Sequence, residues 1–169
     1  MNRHQTQMYQ EIMEIPCVVE RLLIEGAEDM RATAKSLREL DPAFIISVAR
    51  GSSDHVATYF KYASELLLGI PVASIGPSIA SIYKCEMALK GAACISISQS
   101  GKSPDILEMT RMATSMGVVS VAITNETTSP LANQSSHVLS LHAGTELSIA
   151  ATKTFVTSAV SAIWLLAEW

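Results

Sequence analysis

A chain of 169 residues that is 49% hydrophobic and 17% charged is long enough for one domain with a sizeable core and short for two. That balance excludes disorder, and a net charge of −4 excludes the broad basic surface of a nucleic-acid binder. Any anion site in this chain must therefore be local.

Residues 1–40 read as a helical arm. Met8, Ile12 and Ile15 recur at helical spacing, and Pro16 interrupts them and opens a second helix whose apolar stripe is Leu23, Ala27, Met30, Ala34 and Leu37. Such an arm packs either on its own core or on a partner subunit, and the pattern does not separate the two.

Asp41-Pro42 makes a turn, and Ala43-Phe44-Ile45-Ile46-Ser47-Val48-Ala49 follows as a nearly continuous apolar run, the signature of a parallel strand buried on both faces. Arg50-Gly51-Ser52-Ser53-Asp54 then turns into a helix carrying Val56, Phe60, Ala63 and Leu67, closed by Gly69. Residues 70–75 form a third segment, a strand with Pro71 at its start, where a ladder bond is least missed. Gly76-Pro77-Ser78 leads into a helix expected around 79–88.

The next unit is Ala92-Ala93-Cys94-Ile95-Ser96-Ile97, then Ser98-Gln99-Ser100-Gly101-Lys102-Ser103, then a helix over roughly 104–116 with Ile106, Met109, Ala113 and Met116 on one face. Pro104 suits the first helical position and Ser103 the N-cap, so the hydroxyl-rich turn ends where free N–H groups and the positive helix pole gather. Four polar side chains with no acid among them describe an anion site, most simply a phosphate site. Gly101-Lys102-Ser103 matches the end of a nucleotide P-loop, but Ser96 stands where that loop needs its first glycine, so a single phosphate ester fits better than a polyphosphate. The competing reading, that Ser and Gly merely make a good strand-to-helix turn, stays open for this stretch alone. A second Gly/Ser turn at 50–54 in the same position after a strand favours a shared pocket beyond the strands' carboxyl ends.

Gly117 ends that helix, Val118-Val119-Ser120-Val121-Ala122-Ile123 is another strand, a polar loop over 124–130 carries the short helical turn Leu131-Ala132, and Val138-Leu139-Ser140-Leu141 is a last short strand. The final helix, from Phe155 to Trp169, is apolar nearly all round, with Val156, Ala159, Val160, Ile163, Trp164, Leu165 and Leu166, and is expected to be covered by further chain or by a subunit. The order of elements gives an α/β fold: a three-layer αβα sandwich on a five-stranded, mainly parallel sheet, preceded by N-terminal helices.

Cys17, Cys85 and Cys94 read as buried reduced thiols of a cytoplasmic protein. His4, His55, His137 and His142 have no metal-ligand spacing, and the residues call for neither a metal nor a cofactor. The polar N-terminus Asn2-Arg3-His4-Gln5 is no signal peptide, and the C-terminal apolar run, interrupted by Thr157, Ser158 and Ser161, is too short for a membrane span.

Three ordered motifs, Ala49-Arg50-Gly51-Ser52-Ser53, Ser98 through Ser103, and Gly144-Thr145-Glu146 through Ala150-Ala151-Thr152-Lys153-Thr154-Phe155, resemble the sugar isomerase (SIS) domain. The likeness is to the first of the two such domains in the isomerase half of glucosamine-6-phosphate synthase, the glutamine–fructose-6-phosphate transaminase, and to its deaminase relatives. It implies a flavodoxin-like αβα sandwich for residues 41–169, the phosphate of a hexose 6-phosphate on Ser98, Gln99, Ser100 and Ser103, the sugar on Ser52, Ser53 and the backbone near Ile149, and a homodimer. Arg50 stands where the synthase has Cys, Lys102 where it has an acid and Ala151 where it has Ser. Arg50 and Lys102 could add charge beside the phosphate, and Asn2, in place of a nucleophilic cysteine, argues against glutamine-dependent amination.

The resemblance further implies that the enolising glutamate, the ring-opening histidine and a lysine come from a second domain beyond Trp169. Within this chain the catalytic residues stay unassigned, with Glu146 a local candidate base, although a carboxylate before a helix more often caps it or pairs with Lys153. His55 is expected to be a partly buried structural histidine. Two readings result. The first is the N-terminal half of an amino-sugar phosphate isomerase or deaminase; the second is a non-catalytic sugar-phosphate-sensing regulatory module.

Overall fold

The computed structural model describes residues 6–169, which places the Asn2-Arg3-His4-Gln5 run outside it. Three helices, α1 (Gln7–Met13), α2 (Ile15–Glu25) and α3 (Ala27–Leu40), precede the sheet. Then follow β1 (Phe44–Ala49), α4 (Ser52–Leu67), β2 (Val72–Ser74), α5 (Ser78–Ser81), β3 (Ala92–Ile97) and α6 (Pro104–Ser115). β4 (Val119–Thr124), α7 (Pro130–Gln134), β5 (His137–Ser140) and α8 (Lys153–Glu168) complete the chain.

The five strands form one sheet in the order β2-β1-β3-β4-β5, and every neighbouring pair is parallel. The α/β sandwich expected from the alternating pattern is what the chain adopts. Side chains alternate across the strands: Ile45, Ala93, Ile95, Ile97, Val121 and Ile123 meet α3, α4 and α8 on one face. Ile46, Cys94 and Ala122 meet α5, α6 and α7 on the other. Two of the strand serines are absorbed locally. Ser96 bonds Thr110 of α6 at 2.7 Å, and Ser120 exchanges two bonds with Ser136.

The N-terminal arm differs from its sequence reading in two ways. It holds three helices, because Gly26, buried against Leu22 and Trp164, separates α2 from α3. A Cβ on Gly26 would lie 2.8 Å from the Leu22 carbonyl oxygen, so only glycine fits that junction. The buried stripe also shifts at the break: Met30, Ala34 and Leu37 are buried as expected, but Leu22 and Val18 take the place of Leu23, which is 45% exposed. In α1, Met8 and Ile12 are more than 40% exposed, and the residue turned inward is Glu11.

Other elements are shorter than their patterns. The helix expected at 79–88 is only α5, and the chain from Ile82 to Gly91 is irregular, with Lys84 at φ 53° and Leu89 anchored in the core. Leu67 and Met116 are exposed because their helices end there. Of the three cysteines only Cys94 is buried, where burial pushes its thiol up to about 11; Cys17, one position off the buried face of α2, and Cys85 are exposed. His55 is exposed as well.

This chain's own helices cover one side of α8. α2, α3 and α4 all pack on it, burying Thr157, Ser161, Ala162, Leu165 and Leu166. Arg38 of α3 closes its end by donating to the Glu168 carbonyl. An apolar strip of Phe155, Val156, Ala159, Val160 and Ile163 still faces outward beside Tyr59 and His55. Among the described residues no helix is long and apolar enough to cross a membrane.

The shifted register of α2 can be read out by denaturation. Leu22→Ala should lower urea-unfolding stability by about 2–5 kcal/mol as a buried truncation, whereas Leu23→Ala should stay within about 0.5 kcal/mol as a surface change.

Candidate functional site

All five strands run the same way, so the turns after β1, β3, β4 and β5 open on one edge of the sheet. The turn after β3 is the most tightly built. Ser98 continues the ladder through its N–H to the Ile123 carbonyl, and its buried hydroxyl accepts from the Gly101 N–H at 3.2 Å. The Ser100 hydroxyl lies 3.4 Å from the Lys102 N–H, and the Gln99 carbonyl accepts from the Asn125 N–H and the Thr124 hydroxyl. Gly101 sits at φ +61° with Ser129 Oγ only 2.1 Å from where a Cβ would be. The loop after β4 is thus locked onto the turn after β3, at a point that admits no side chain.

Ser103 occupies the N-cap of α6, yet its hydroxyl makes no capping bond to the first turn. Ser52 and Ser53 are the first two residues of α4, behind Gly51 at φ 59° and ψ −135°, a conformation reserved in practice for glycine. These serines line a narrow crevice with Gln99 on one side and Ala151, Thr154 and Phe155 of the α8 start on the other. Two helix N-termini and the tip of the β3 turn therefore face one another, and no carboxylate lines the crevice.

Gln99 also lines a second, larger cavity of about 440 Å³, together with Ser100, Lys102, Arg21, Glu25, Asn125, Glu126, His142 and Glu146. Its acids are engaged within the chain. Glu25 lies 3.0 Å from His142 Nδ1, and Glu126 accepts from Thr128, which together with Lys102 holds its carboxyl below the usual range. Asn125 is fixed at both ends of its amide, donating to the Gly144 carbonyl at 2.7 Å and accepting from the Ala143 N–H at 3.0 Å. His142 Nε2 is buried without a hydrogen-bond partner among the described residues, on a residue at φ 48°.

The segment from His142 to Thr152 is irregular and joins the two cavities, with Thr145 and Glu146 lining the larger and Ala151 the crevice. It is held by carboxylates. Glu146 Oε1 accepts from the Thr152 and Thr154 N–H groups, both at 3.0 Å, and from the Thr152 hydroxyl; Oε2 accepts from the Thr154 hydroxyl. Of the roles open to Glu146 in the sequence, the geometry provides the cap of α8. Lys153 pairs elsewhere, with Glu14 at 2.5 Å.

Glu11 completes the set. Fully buried, it accepts from the Leu147 N–H at 2.6 Å and the Ser148 N–H at 3.2 Å, and lies 3.3 Å from the Thr152 hydroxyl. Burial works to raise its pKa, but the donors of Ser148, Leu147 and Gln7 outweigh it and hold the carboxyl at about 2.

The structure thus brings Ser52, Ser53 and Gln99 together on the crevice and Gln99, Ser100, Lys102 and Glu146 together on the larger cavity. Ser98 faces inward, and Arg50, Ser103 and Ile149 line neither space; the Ile149 side chain is fully exposed. Glu11, Arg21, Glu25 and Asn125 are absent from the candidate residues of the sequence reading, and His142 enters it only as a histidine without metal-ligand spacing. Asn125 and His142 follow β4 and β5 just as Ser98 follows β3, so the carboxyl-end rule carried a signal for them. Nothing local marks Glu11, whose backbone donors lie at least 136 residues away. Among the described residues no group of three acidic, histidine or cysteine side chains could hold a metal ion.

Comparison with known proteins gives a consistent result. The sequence model of the SIS domain matches residues 41–168. The chain is 33% identical over 160 residues to the isomerizing glutamine–fructose-6-phosphate aminotransferase of Sulfurisphaera tokodaii, covering 94% of this chain and 26% of that enzyme. It thus spans about a quarter of the length of that relative. Among solved structures, a candidate phosphosugar isomerase of Silicibacter pomeroyi DSS-3 superposes with a TM-score of 0.94 at 58% identity, over 97% of this chain and 50% of that one. The C-terminal domain of glucosamine-fructose-6-phosphate aminotransferase from Francisella tularensis gives 0.81 at 25% identity, over 97% and 48%.

The geometry makes two predictions. Gly101→Ala should cost at least about 1–3 kcal/mol in urea unfolding from the backbone conformation alone, with the Ser129 collision added to it. Glu11 has a folded pKa depressed from 4.5 to about 2, so its contribution is complete above pH 4.5 and is lost as pH falls through 2. The difference in thermal midpoint between the parent chain and Glu11→Gln should therefore be largest above pH 4.5 and shrink towards pH 2.

Proposed function

The chain belongs to the SIS domain family, and from that membership we propose that it binds a hexose or hexosamine 6-phosphate as the N-terminal half of an amino-sugar phosphate isomerase or deaminase. The observation that carries this reading is the uncapped start of α4, at Ser52 and Ser53, which faces Gln99 of the β3 turn across a crevice that no carboxylate lines. Helix N-termini offer N–H donors and a positive pole to a dianion, and the uncapped start of α6 adds to them. In this reading Gln99, Ser100 and Ser103 surround the phosphate, on a turn that the Ser98 hydroxyl braces from within. Ser52 and Ser53 take the sugar hydroxyls, the backbone near Ile149 closes over them, and Arg50 and Lys102 add positive charge at the rim.

Aldose–ketose isomerisation needs a carboxylate free to move the C1/C2 proton and an acid to open the ring. Both Glu146 oxygens are occupied in capping α8, which favours a chain that binds substrate and leaves proton abstraction to a carboxylate from a second unit. The outward strip of Phe155, Val156, Ala159, Val160 and Ile163 suits the face against which such a unit, or a second copy of the chain in a homodimer, would pack. The protein so read is cytoplasmic.

A thermal-shift titration with glucosamine 6-phosphate, fructose 6-phosphate and inorganic phosphate tests this. At a hundredfold excess over Kd a ligand bound only to the folded state adds about 2.7 kcal/mol, or about 5–10 °C at this chain length. The expected result is that shift with at least one hexose phosphate, a smaller one with phosphate, and loss of both in Ser100→Ala. Hexose phosphates that stabilise no more than inorganic phosphate does would overturn the reading.

A further inference from the structure

We infer that α1 is a clamp on the sugar-binding loop, and that Glu11 is a positioning residue that lets the site distinguish a sugar phosphate from phosphate alone. The inference rests on the sugar-phosphate reading of the site and concerns a helix outside the residues matched by the family, 41–168.

The argument begins with how α1 is oriented. An amphipathic helix normally turns its apolar side chains inward, and α1 has Met8, Ile12 and Met13 available for this. It does the reverse, leaving these three between 42% and 61% exposed and burying a carboxylate completely. A buried charge is costly unless hydrogen-bonded on every side, and Glu11 meets that condition only through the loop, at Leu147, Ser148 and Thr152, with Gln7 of its own helix at 3.2 Å. The orientation of α1 is thus set by its bonds to the loop rather than by apolar burial.

The loop depends on the helix in turn. Between His142 and Thr152 it has no regular structure, and Leu147 and Ile149 point outward, so no apolar anchor holds its middle. One end is tied by Asn125 at Ala143 and Gly144, and the other by Glu146 at Thr152 and Thr154. Glu11 supplies the bonds in between, at the two residues immediately before Ile149. The neighbouring Lys153–Glu14 pair joins the same helical arm to the start of α8. Without Glu11 the span from Leu147 to Ile149 has two untied N–H groups and freedom to leave the sugar, while the turn at 98–103, built on β3 and β4, is untouched.

The test compares the 169-residue chain with Glu11→Gln and Glu11→Ala, titrated calorimetrically with glucosamine 6-phosphate and with inorganic phosphate, alongside amide hydrogen exchange of residues 145–150. Glu11→Ala should weaken the hexose phosphate at least tenfold and change the phosphate affinity less than twofold, with exchange at Leu147 and Ser148 accelerated. Glu11→Gln, which keeps one acceptor oxygen and the side-chain volume, should fall between. A general loss of folding would lower both affinities together, so equal losses would overturn the clamp, as would loop amides that stay protected in both variants. If the unaltered chain prefers neither ligand, the sugar-phosphate reading fails, and the exchange data alone decide whether Glu11 holds the loop.

Discussion

Five parallel strands in continuous register set the terms for everything else in this protein. Because each strand must be followed by a helix that returns over the sheet, every strand-to-helix turn falls on the same edge and every following helix presents its N-terminus there. The starts of α4, α6 and α8 therefore gather N–H donors around the ends of β1 and β3, where the chain order reverses across the sheet. Helix N-termini gathered in this way favour an anion, and the proposed sugar-phosphate reading rests on that. Glycines at 51 and 101 supply the positive φ values that let strands turn into helices so abruptly.

The same concentration of donors has to be satisfied in the absence of a ligand, and the fold does this asymmetrically. α8 receives a carboxylate cap from Glu146, and the loop ahead of it receives a second carboxylate from Glu11. Two carboxylates converge on the Thr152 hydroxyl, at 2.9 and 3.3 Å, an arrangement tolerable only because backbone N–H groups surround both. α4 and α6 carry no side-chain cap at all. Of these three helices, the two left uncapped follow the hydroxyl-rich turns at 50–54 and 98–103, and the capped one follows the irregular segment from His142 to Thr152.

Where the sequence reading and the structure part, the cause is usually a partner far along the chain. The stripe in α2 was one residue out because Gly26 lets α3 restart in a new phase, and the phase of α2 is then set by packing on α8. α1 was read from Met8, Ile12 and Ile15, whereas its orientation follows Glu11 and a loop 136 residues away. α8 looked uniformly apolar, yet its inner face is largely Thr and Ser. The Thr157 and Ser158 hydroxyls return bonds to the carbonyls of Lys153 and Thr154 in the same helix, and the small size of the Thr and Ser side chains allows α2, α3 and α4 to approach closely.

By itself the sequence determined the α/β class, the parallel sheet, the place of the two hydroxyl-rich turns and the SIS resemblance, because these depend on local chemistry: apolar runs of strand length, glycine at forced turns, proline and serine at helix starts. The tertiary structure alone decided which of those residues share a cavity, that Ser98 and Glu146 spend their oxygens on the fold, and that Glu11 and Glu14 of the N-terminal helices grip the segment from Leu147 to Lys153. The physical reason is that a buried charge takes its meaning from the donors around it. Those donors are backbone N–H groups, present at every residue but proline and silent in any sequence until the chain has folded.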